Sequence, residues 1–284
     1  MNQPAAATQR LADPSARSAG AVVIKLGGAA LPHREAVLED LRRAQGAGFR
    51  PILVHGGGPV ISDWLKRIGK QPVFVDGLRQ TDAETLDVAV MVLAGNVNKS
   101  LVAVLQGGGT PAVGLSGVDG GFIRARRQLA PDIGFVGEVE EIDTRPLDVL
   151  AAAGYVPVVA PIALGPQGPL NVNADTVAGH IARALGASSL IFLTDVPGVK
   201  DRAGDVLPAL DRAQASALQR EGIISGGMIP KVEACLHCLD RVGQATILDG
   251  GRPHAIVEHL LEGRTAGTVF QGTFERTITH GHHV

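Results

Sequence analysis

This chain has few cysteines and a small net charge. Its 284 residues include only two cysteines, Cys235 and Cys238, too few for a disulfide framework, which favours a reducing compartment. The formal net charge is −2, so electrostatics gives no reason to expect a nucleic acid or an anionic membrane as partner. We therefore expect a cytoplasmic protein.

Long apolar runs are also lacking. The sequence shows no run near the roughly 18 residues that a membrane helix needs, and Tyr155–Leu164 is interrupted by Pro157 and Pro161. Residues 1–19 lack the apolar core of a signal peptide. We expect them to form a mobile tail or an accessory helix, and residues 273–284 to form a C-terminal tail.

Short β-branched runs alternate with helical patterns from residue 21 onward, which is typical of an α/β fold with a mainly parallel sheet. Ala21–Leu26 is apolar except for Lys25 and predicts a strand buried on both faces. Further strands are predicted at 51–54, 156–160, 190–194, 246–248 and 267–270, and helices at 35–45, 60–68, 147–152, 177–185, 212–221, 231–241 and 254–262.

Two features interrupt the simple alternation. Thr81 and Glu84 form a capping-box pattern that predicts the start of a long helix ending at Gly107–Gly109. Residues 122–129 and 135–142 have no helical period, and a Pro-Asp turn separates them. We interpret them as a β-hairpin that covers a site.

Glycine-rich loops follow two of the predicted strands, at the carboxyl ends where open α/β sheets bind ligands. One is Lys25-Leu26-Gly27-Gly28, and the other is His55-Gly56-Gly57-Gly58-Pro59 at a helix start. Glycines let backbone N–H groups approach an anion, and a helix N-terminus adds a favourable dipole. Each loop alone could be an ordinary tight turn. The P-loop, dinucleotide and protein-kinase motifs are absent from the sequence.

Two later segments also lie at predicted helix starts. Asn171–Asp175 reads on its own as an Asx-rich N-cap. In Gly226–Lys231 a lysine lies in the first helical turn, where it opposes the helix dipole unless an anion is held there.

Taken together, these segments resemble the amino-acid kinase family, over residues 21–270. The segments are 25–28, 55–59, Gly77-Leu78-Arg79-Gln80-Thr81-Asp82, 171–175 and 227–231, in the family's order. The resemblance implies a three-layer αβα sandwich around a mainly parallel sheet, with two closely packed lobes and a β-hairpin over the acceptor site. Residues 20–185 would bind the acceptor and dimerise, and residues 186–272 would bind ATP.

The resemblance further implies transfer of the γ-phosphoryl group of ATP to the side-chain carboxylate of N-acetyl-L-glutamate, giving N-acetylglutamyl 5-phosphate and ADP, the second step of arginine biosynthesis. Positioning and charge neutralisation carry such a transfer. Lys25 and Lys231 would neutralise the moving phosphoryl, and Asp175 would orient both. Mg²⁺ would be held mainly by the ATP phosphates, with no dedicated metal site on the protein.

The remaining roles also come from the resemblance. Backbone N–H groups of Gly28, Gly57 and Gly58 would cradle the phosphoryl and the attacking carboxylate. Arg79 would clamp the second carboxylate of the substrate, and Asn171 would bind its α-substituents. Residues that would line the nucleotide site are Asp195, Gly198, Lys200, Ile223 and Ser225.

Two alternatives compete with this reading. One branch of the family phosphorylates aminoadipate or glutamate on a carrier protein, but it tends to replace the third loop glycine, which is present here as Gly58. The other is a catalytically inactive amino-acid sensor on the same fold, against which the intact Lys25, Asp175 and Lys231 set argues. The resemblance also implies a homodimer, or a hexamer built as a trimer of dimers.

Overall fold

The computed structural model describes residues 20–27 and 34–271 of the chain. The predicted tails at 1–19 and 273–284, together with Gly28, lie outside these residues. The fourteen strands of the described residues are β1 (Gly20–Leu26), β2 (Phe49–His55), β3 (Phe74–Val75), β4 (Leu78–Arg79), β5 (Ala112–Ser116), β6 (Ile123–Arg127), β7 (Gly137–Ile142), β8 (Val156–Ala160), β9 (Ile162–Gly165), β10 (Gly168–Asn171), β11 (Ser189–Thr194), β12 (Ala209–Leu210), β13 (Gln244–Asp249) and β14 (Gly267–Gln271).

Helices separate most of these strands, as the sequence predicts. A π-helical segment, Met91–Val97, joins two of the α-helices into one continuous helix from Ala83 to Gly107. The α-helices are α1 (Arg34–Gly46), α2 (Gly58–Arg67), α3 (Ala83–Val90), α4 (Asn98–Gly107), α5 (Arg145–Ala152), α6 (Ala174–Leu185), α7 (Arg212–Arg220), α8 (Met228–Cys238) and α9 (Ala255–Glu262).

The central sheet contains eight strands in the order β12-β14-β13-β11-β1-β2-β8-β5. Neighbouring strands are parallel, except that β14 runs antiparallel to β13. The sheet confirms the mainly parallel α/β architecture. Strands from residues 20–185 occupy one side of β1 and strands from residues 186–272 the other, while a lobe boundary near residue 185 stays a prediction.

Both faces of the sheet are buried, because alternate residues of each strand enter different hydrophobic cores. In β1, Val22 and Ile24 pack with helices α1, α2 and α9 and the long helix. On the opposite face, Val23 packs with α6 and α8. This alternation produces the three-layer αβα sandwich and explains why β1 reads as an unbroken apolar run.

The predicted β-hairpin is present and is part of a larger sheet. β6 and β7 pair antiparallel, and β9 and β10 extend them into a four-stranded sheet in the order β10-β9-β6-β7. An isolated bridge joins Val136, just before β7, to Asn171 at the end of β10. The hairpin is thereby tied to a predicted substrate-binding residue.

The long helix departs from the sequence expectation in two respects. Its N-cap is Asp82, whose side chain accepts from the Thr85 backbone N–H, so the predicted Thr81–Glu84 capping box is wrong. Its segment Ala83–Gly107 has the length and mean hydropathy of a membrane-spanning helix, contrary to the expectation that no segment would. The buried face of the helix packs against the central sheet, as a core helix does; its buried apolar residues are Val88, Ala89, Val92, Leu93, Val97, Leu101 and Leu105.

Candidate active site

Lys25 and Asp175 form a buried ion pair at the carboxyl end of the central strands. Lys25 is the penultimate residue of β1, and its Nζ lies 2.7 Å from Asp175 Oδ1. Asp175 lies in the first turn of α6, where the Asn173 side chain caps the helix by accepting from the backbone N–H groups of Asp175 and Thr176. A carboxylate there is favoured by the helix dipole.

Lys231 approaches the same carboxylate from a different helix. Its Nζ donates to Asp175 Oδ2 at 3.2 Å and to the Gly227 carbonyl at 3.0 Å. The side chains of Lys25, Asp175 and Lys231 are only 10%, 6% and 15% exposed. Residues more than fifty positions apart therefore meet as two cations on one anion, leaving a net positive charge that suits an anionic group.

The second glycine loop lies against this cluster. A Cβ placed on Gly56 would be 4.0 Å from Lys25 Nζ. Gly57 precedes α2, with Gly58 and Pro59 in the first turn of that helix, so free N–H groups and a helix N-terminus face the same region. In the first loop, a Cβ on Gly27 would lie 2.6 Å from the Leu193 carbonyl, so only glycine fits between β1 and β11.

A cavity of about 170 Å³ extends from the glycine loop, lined by Gly57, Gly58, Arg79, Asn171 and neighbouring residues. Arg79 is buried, and its Nη2 donates to the Gly58 carbonyl at 2.8 Å and to Ser62 Oγ at 2.9 Å. Its Nη1 has no hydrogen-bond partner within the described part of the chain. Burial lowers the pKa of Arg79, because desolvation penalises its charged form. The guanidinium nevertheless stays charged, so an anionic ligand beside the unpaired nitrogen would offset this penalty.

Asn171 lies at the end of β10, and its Nδ2 donates to Thr81 Oγ1 at 3.2 Å. Thr81 is fully buried and its hydroxyl donates to the Arg79 carbonyl at 2.8 Å. The buried Thr81 hydroxyl therefore links the Asn171 side chain to the backbone carbonyl of Arg79.

The residues predicted to bind the nucleotide lie on the other side of β1. Asp195 and Lys200 are exposed in the loop after β11, and Asp195 accepts from the Thr194 hydroxyl at 2.9 Å. Ile223 and Ser225 precede α8, which carries Lys231. Gly198 has a packing role as well, because a Cβ there would lie 2.6 Å from Thr268 Oγ1.

Phe74 is a cavity residue that sequence reasoning missed. It pairs directly with Arg79 across the β3–β4 hairpin, and the Arg79 guanidinium lies 4.7 Å from the centre of its ring. Asp76 and Gly77 both have positive φ in the two-residue turn. An Asp-Gly turn is a strong hairpin signal, so counting outward from it would have paired Phe74 with Arg79.

Comparison with protein families gives an independent result. The model of the amino acid kinase family matches residues 20–249. An acetylglutamate kinase of Acidiphilium cryptum is 47% identical over 271 residues, covering 89% of this chain and 91% of the relative. An acetylglutamate kinase of Symbiobacterium thermophilum is 46% identical over 264 residues, covering 87% of this chain and 90% of that protein.

Solved structures share the architecture. The smu.665 protein of Streptococcus mutans is 28% identical, with a TM-score of 0.77 over 88% of this chain and 98% of that one. Carbamate kinase from Giardia lamblia bound to AMP-PNP has a TM-score of 0.67 at 15% identity, covering 90% of this chain and 99% of that one. At that identity the likeness supports the fold alone.

Proposed function

This chain belongs to the amino acid kinase family, and we propose that it is an acetylglutamate kinase, which transfers the γ-phosphoryl group of ATP to the side-chain carboxylate of N-acetyl-L-glutamate. The products are N-acetylglutamyl 5-phosphate and ADP. The observation that carries the proposal is the Lys25–Asp175–Lys231 cluster beside the glycine loop. The two relatives compared above bear that name and match this chain over nearly nine-tenths of its length.

The chemistry needs little more than position and charge. A carboxylate is ionised at neutral pH and attacks the γ-phosphorus without a general base. The γ-phosphorus–oxygen bond to ADP breaks as the bond to the attacking carboxylate oxygen forms, and charge spreads over the transferred group. We assign Lys25 to neutralise that charge from the acceptor side and Lys231 from the nucleotide side. Asp175 holds both ammonium groups near one point and offsets their mutual repulsion.

We assign the cavity beside the glycine loop to N-acetyl-L-glutamate. The free Nη1 of Arg79 would take the α-carboxylate in a charge-assisted hydrogen bond, and Asn171 would bind the α-substituents. Backbone N–H groups of Gly57 and Gly58 would cradle the phosphoryl, with Gly28 of the first loop remaining a prediction. Asp195, Gly198, Lys200, Ile223 and Ser225 would contact the nucleotide, whose phosphates would carry Mg²⁺.

Acyl phosphate formation tests this function directly. Purified protein with MgATP and N-acetyl-L-glutamate should yield a hydroxamate when hydroxylamine is present, and chelating Mg²⁺ with EDTA should stop the reaction reversibly. Free glutamate, aspartate and a carrier-linked aminoadipate serve as comparison acceptors. Turnover of the carrier-linked acceptor alone would replace the proposal with the carrier-protein kinase, and amino-acid binding without any turnover would replace it with a sensor.

We also propose that the enzyme is a cytoplasmic homo-oligomer, a homodimer or a hexamer of three dimers. The long helix exposes 62% of Met91 on the side away from the sheet, with the small residues Ala94 and Gly95 beside it. We assign the interface between copies to this face of the long helix. Met91→Glu should therefore lower the sedimenting mass, because it would bury a charge in that interface. Val149→Glu, at a residue 67% exposed on α5, is the matched control. An unchanged mass for Met91→Glu would place the interface elsewhere.

A further inference from the structure

His55, Asn98 and Lys99 form a chain of hydrogen bonds behind the glycine loop, and the roles assigned above leave it unused. Lys99 Nζ donates to Asn98 Oδ1 at 3.0 Å. Asn98 Nδ2 lies 2.8 Å from the Val158 carbonyl and 3.2 Å from His55 Nε2. His55 Nδ1 lies 2.9 Å from the Gly56 carbonyl. His55 and Asn98 are 1% and 0% exposed.

The direction of every bond in this chain follows from chemistry. An ammonium can only donate and a backbone carbonyl can only accept, so Lys99 and Val158 fix which end of the Asn98 amide is oxygen and which is nitrogen. The amide nitrogen therefore donates to His55, and Nε2 of His55 must accept. The proton of the neutral ring is then on Nδ1, where it donates to the Gly56 carbonyl.

That last bond sets the orientation of one peptide unit. The Gly56 carbonyl and the Gly57 N–H belong to the same planar trans peptide and point in opposite directions. Because His55 holds the carbonyl toward the interior, the Gly57 N–H points outward. Within residues 20–27 and 34–271 the Gly57 N–H has no protein acceptor. The adjoining Gly56 lies against Lys25, as measured above, so this peptide lies beside the cationic cluster.

Packing around the loop leaves no room for a side chain at two glycines. A Cβ on Gly57 would lie 2.6 Å from Leu93 Cδ2, on the π-helical segment directly before Asn98. A Cβ on Gly114 would lie 1.9 Å from Asn98 Oδ1 and 2.9 Å from Lys99 Nζ. Leu93 therefore requires a glycine at position 57, and the Asn98 and Lys99 side chains require a glycine at position 114.

We propose that His55 and Asn98 are positioning residues of the transfer reaction, forming a one-way hydrogen-bond relay from Lys99 to the Gly56 carbonyl that aims the Gly57 N–H at the transferred phosphoryl group. The proposal rests on the kinase function for the identity of that group. The direction of the relay itself stands on the hydrogen-bond geometry alone.

Burial keeps the relay in its working state over the physiological range. Burial lowers the pKa of His55 to about 4, and the cations of Lys99 and Lys25 also lower it. Protonation would place a second N–H on Nε2, opposite the Asn98 N–H, and break the relay. Above about pH 5 the ring is therefore neutral, and activity should show no titration near the ordinary histidine pKa of about 6.5 that depends on His55.

The ring tautomer is the first test, and it needs no activity. Nitrogen-15 NMR of labelled protein should show His55 protonated on Nδ1 at pH 7, opposite to the Nε2–H form that free histidine favours; the His55→Asn spectrum identifies its signals. An Nε2–H tautomer would overturn the relay even in an active kinase. Wild-type protein without turnover but with the Nδ1–H form would refute the kinase function and leave the relay direction intact.

Two variants of His55 test the positioning role. Asparagine can place its amide N–H near the position of Nδ1, whereas leucine cannot donate. We expect His55→Leu to lower kcat at least tenfold more than His55→Asn, with KM for N-acetyl-L-glutamate changed less than threefold in both. Equal losses in the two variants would mean that His55 only fills space.

Asn98→Asp reverses the relay with almost no change of shape. Both carboxylate oxygens accept, so His55 must donate from Nε2, and a ring that stays neutral then turns its Nδ1 lone pair toward the Gly56 carbonyl. We expect kcat to fall by 10- to 100-fold and the His55 tautomer to switch, while Asn96→Asp on the exposed side of the helix leaves both unchanged. Full activity of folded Asn98→Asp would contradict the proposal; if it does not fold, the His55 pair decides.

Discussion

At the residue scale, Asp175 contributes one carboxylate oxygen to each of two lysines. This sharing brings charges from opposite sides of the site to one point, which neither lysine would occupy alone because two ammonium groups repel. The start of α6 fixes the position of this carboxylate. Asn173 caps the first helical turn, and that turn carries Asp175. A local capping signal therefore places a side chain of the proposed chemistry.

Replacing Asp175 by asparagine should separate its role from that of an ordinary ion pair. Asp175→Asn keeps the shape but removes the charge that holds Lys25 and Lys231 together, so we expect kcat to fall by about 10²- to 10³-fold, the size of effect seen when a preorganised electrostatic group is removed. Asp148→Asn, which breaks the exposed Arg50–Asp148 pair at 3.6 Å, should leave activity unchanged. Comparable activity of the two variants would remove Asp175 from the mechanism.

Arg79 should govern substrate affinity more than turnover. Arg79→Lys keeps the charge but loses the planar fork that bonds Gly58 and Ser62 and leaves Nη1 without a partner among the described residues. We expect KM for N-acetyl-L-glutamate to rise about 10- to 100-fold, with kcat changed less than fivefold and KM for ATP unaffected. Arg127→Lys is the control, since Arg127 also lies over an aromatic ring, Phe135 at 5.5 Å, but outside this cavity. An unchanged KM would place the α-carboxylate elsewhere.

At the element scale, the contact between α6 and α8 sets the distance between Asp175 and Lys231. Gly179 of α6 faces Ala234 of α8, and a Cβ on Gly179 would lie 3.1 Å from Ala234 Cβ. Glycine costs helix stability relative to alanine, so its presence in the middle of α6 is explained by this close approach. This short packing distance brings Asp175 of α6 and Lys231 of α8 within reach of each other.

Gly179→Ala should therefore be destabilising although alanine is the better helix former. We expect a loss of about 1–3 kcal/mol in the free energy of unfolding from overpacking and a lower kcat as the helices separate. Gly107→Ala, at the exposed end of α4 with open space around it, should be neutral or slightly stabilising. Urea denaturation of both variants checks the pair. A stabilised Gly179→Ala would show that the helix contact can relax.

Sequence periodicity located most helices and strands, but it missed short strands that contain glycine or proline. Strands buried on both faces, such as β8 and β11, stand out as β-branched runs. The edge strand β5 includes Gly114, and β9 and β10 include three residues, Gly165, Gly168 and Pro169, that read as turns. Their pairing comes from neighbouring strands distant in the chain, which a local pattern does not contain.

At the scale of the whole molecule, buried neutral histidines tie stability to pH. Burial lowers the pKa values of His55, His180 and His259 to about 4 in the folded state, against an ordinary value of about 6.5. Between these values the unfolded chain binds more protons, so stability rises with pH through this window and is lost as pH falls. His254 acts in the opposite direction, because Asp40 raises its pKa.

We expect the free energy of unfolding to fall by about 2–4 kcal/mol between pH 7 and pH 5, allowing for the partial exposure of His180. Chemical denaturation at both pH values measures it. His259→Gln should make the dependence shallower, because one proton-binding difference is removed. A stability that increases toward pH 5 would mean that the Asp40–His254 pair outweighs His55, His180 and His259.

The sequence by itself determined the α/β class and both glycine loops, because glycine loops and apolar runs are local signals, while the proposed roles of Lys25, Lys231 and Asp175 came from the family resemblance. Only the tertiary structure decided that Lys25 and Lys231 meet on the Asp175 carboxylate, that a buried nitrogen of Arg79 has no partner among the described residues, and that Asn98 lies against the His55 ring. These facts depend on distances between residues far apart in the chain, and such distances arise only when the sheet and its two helical layers pack together.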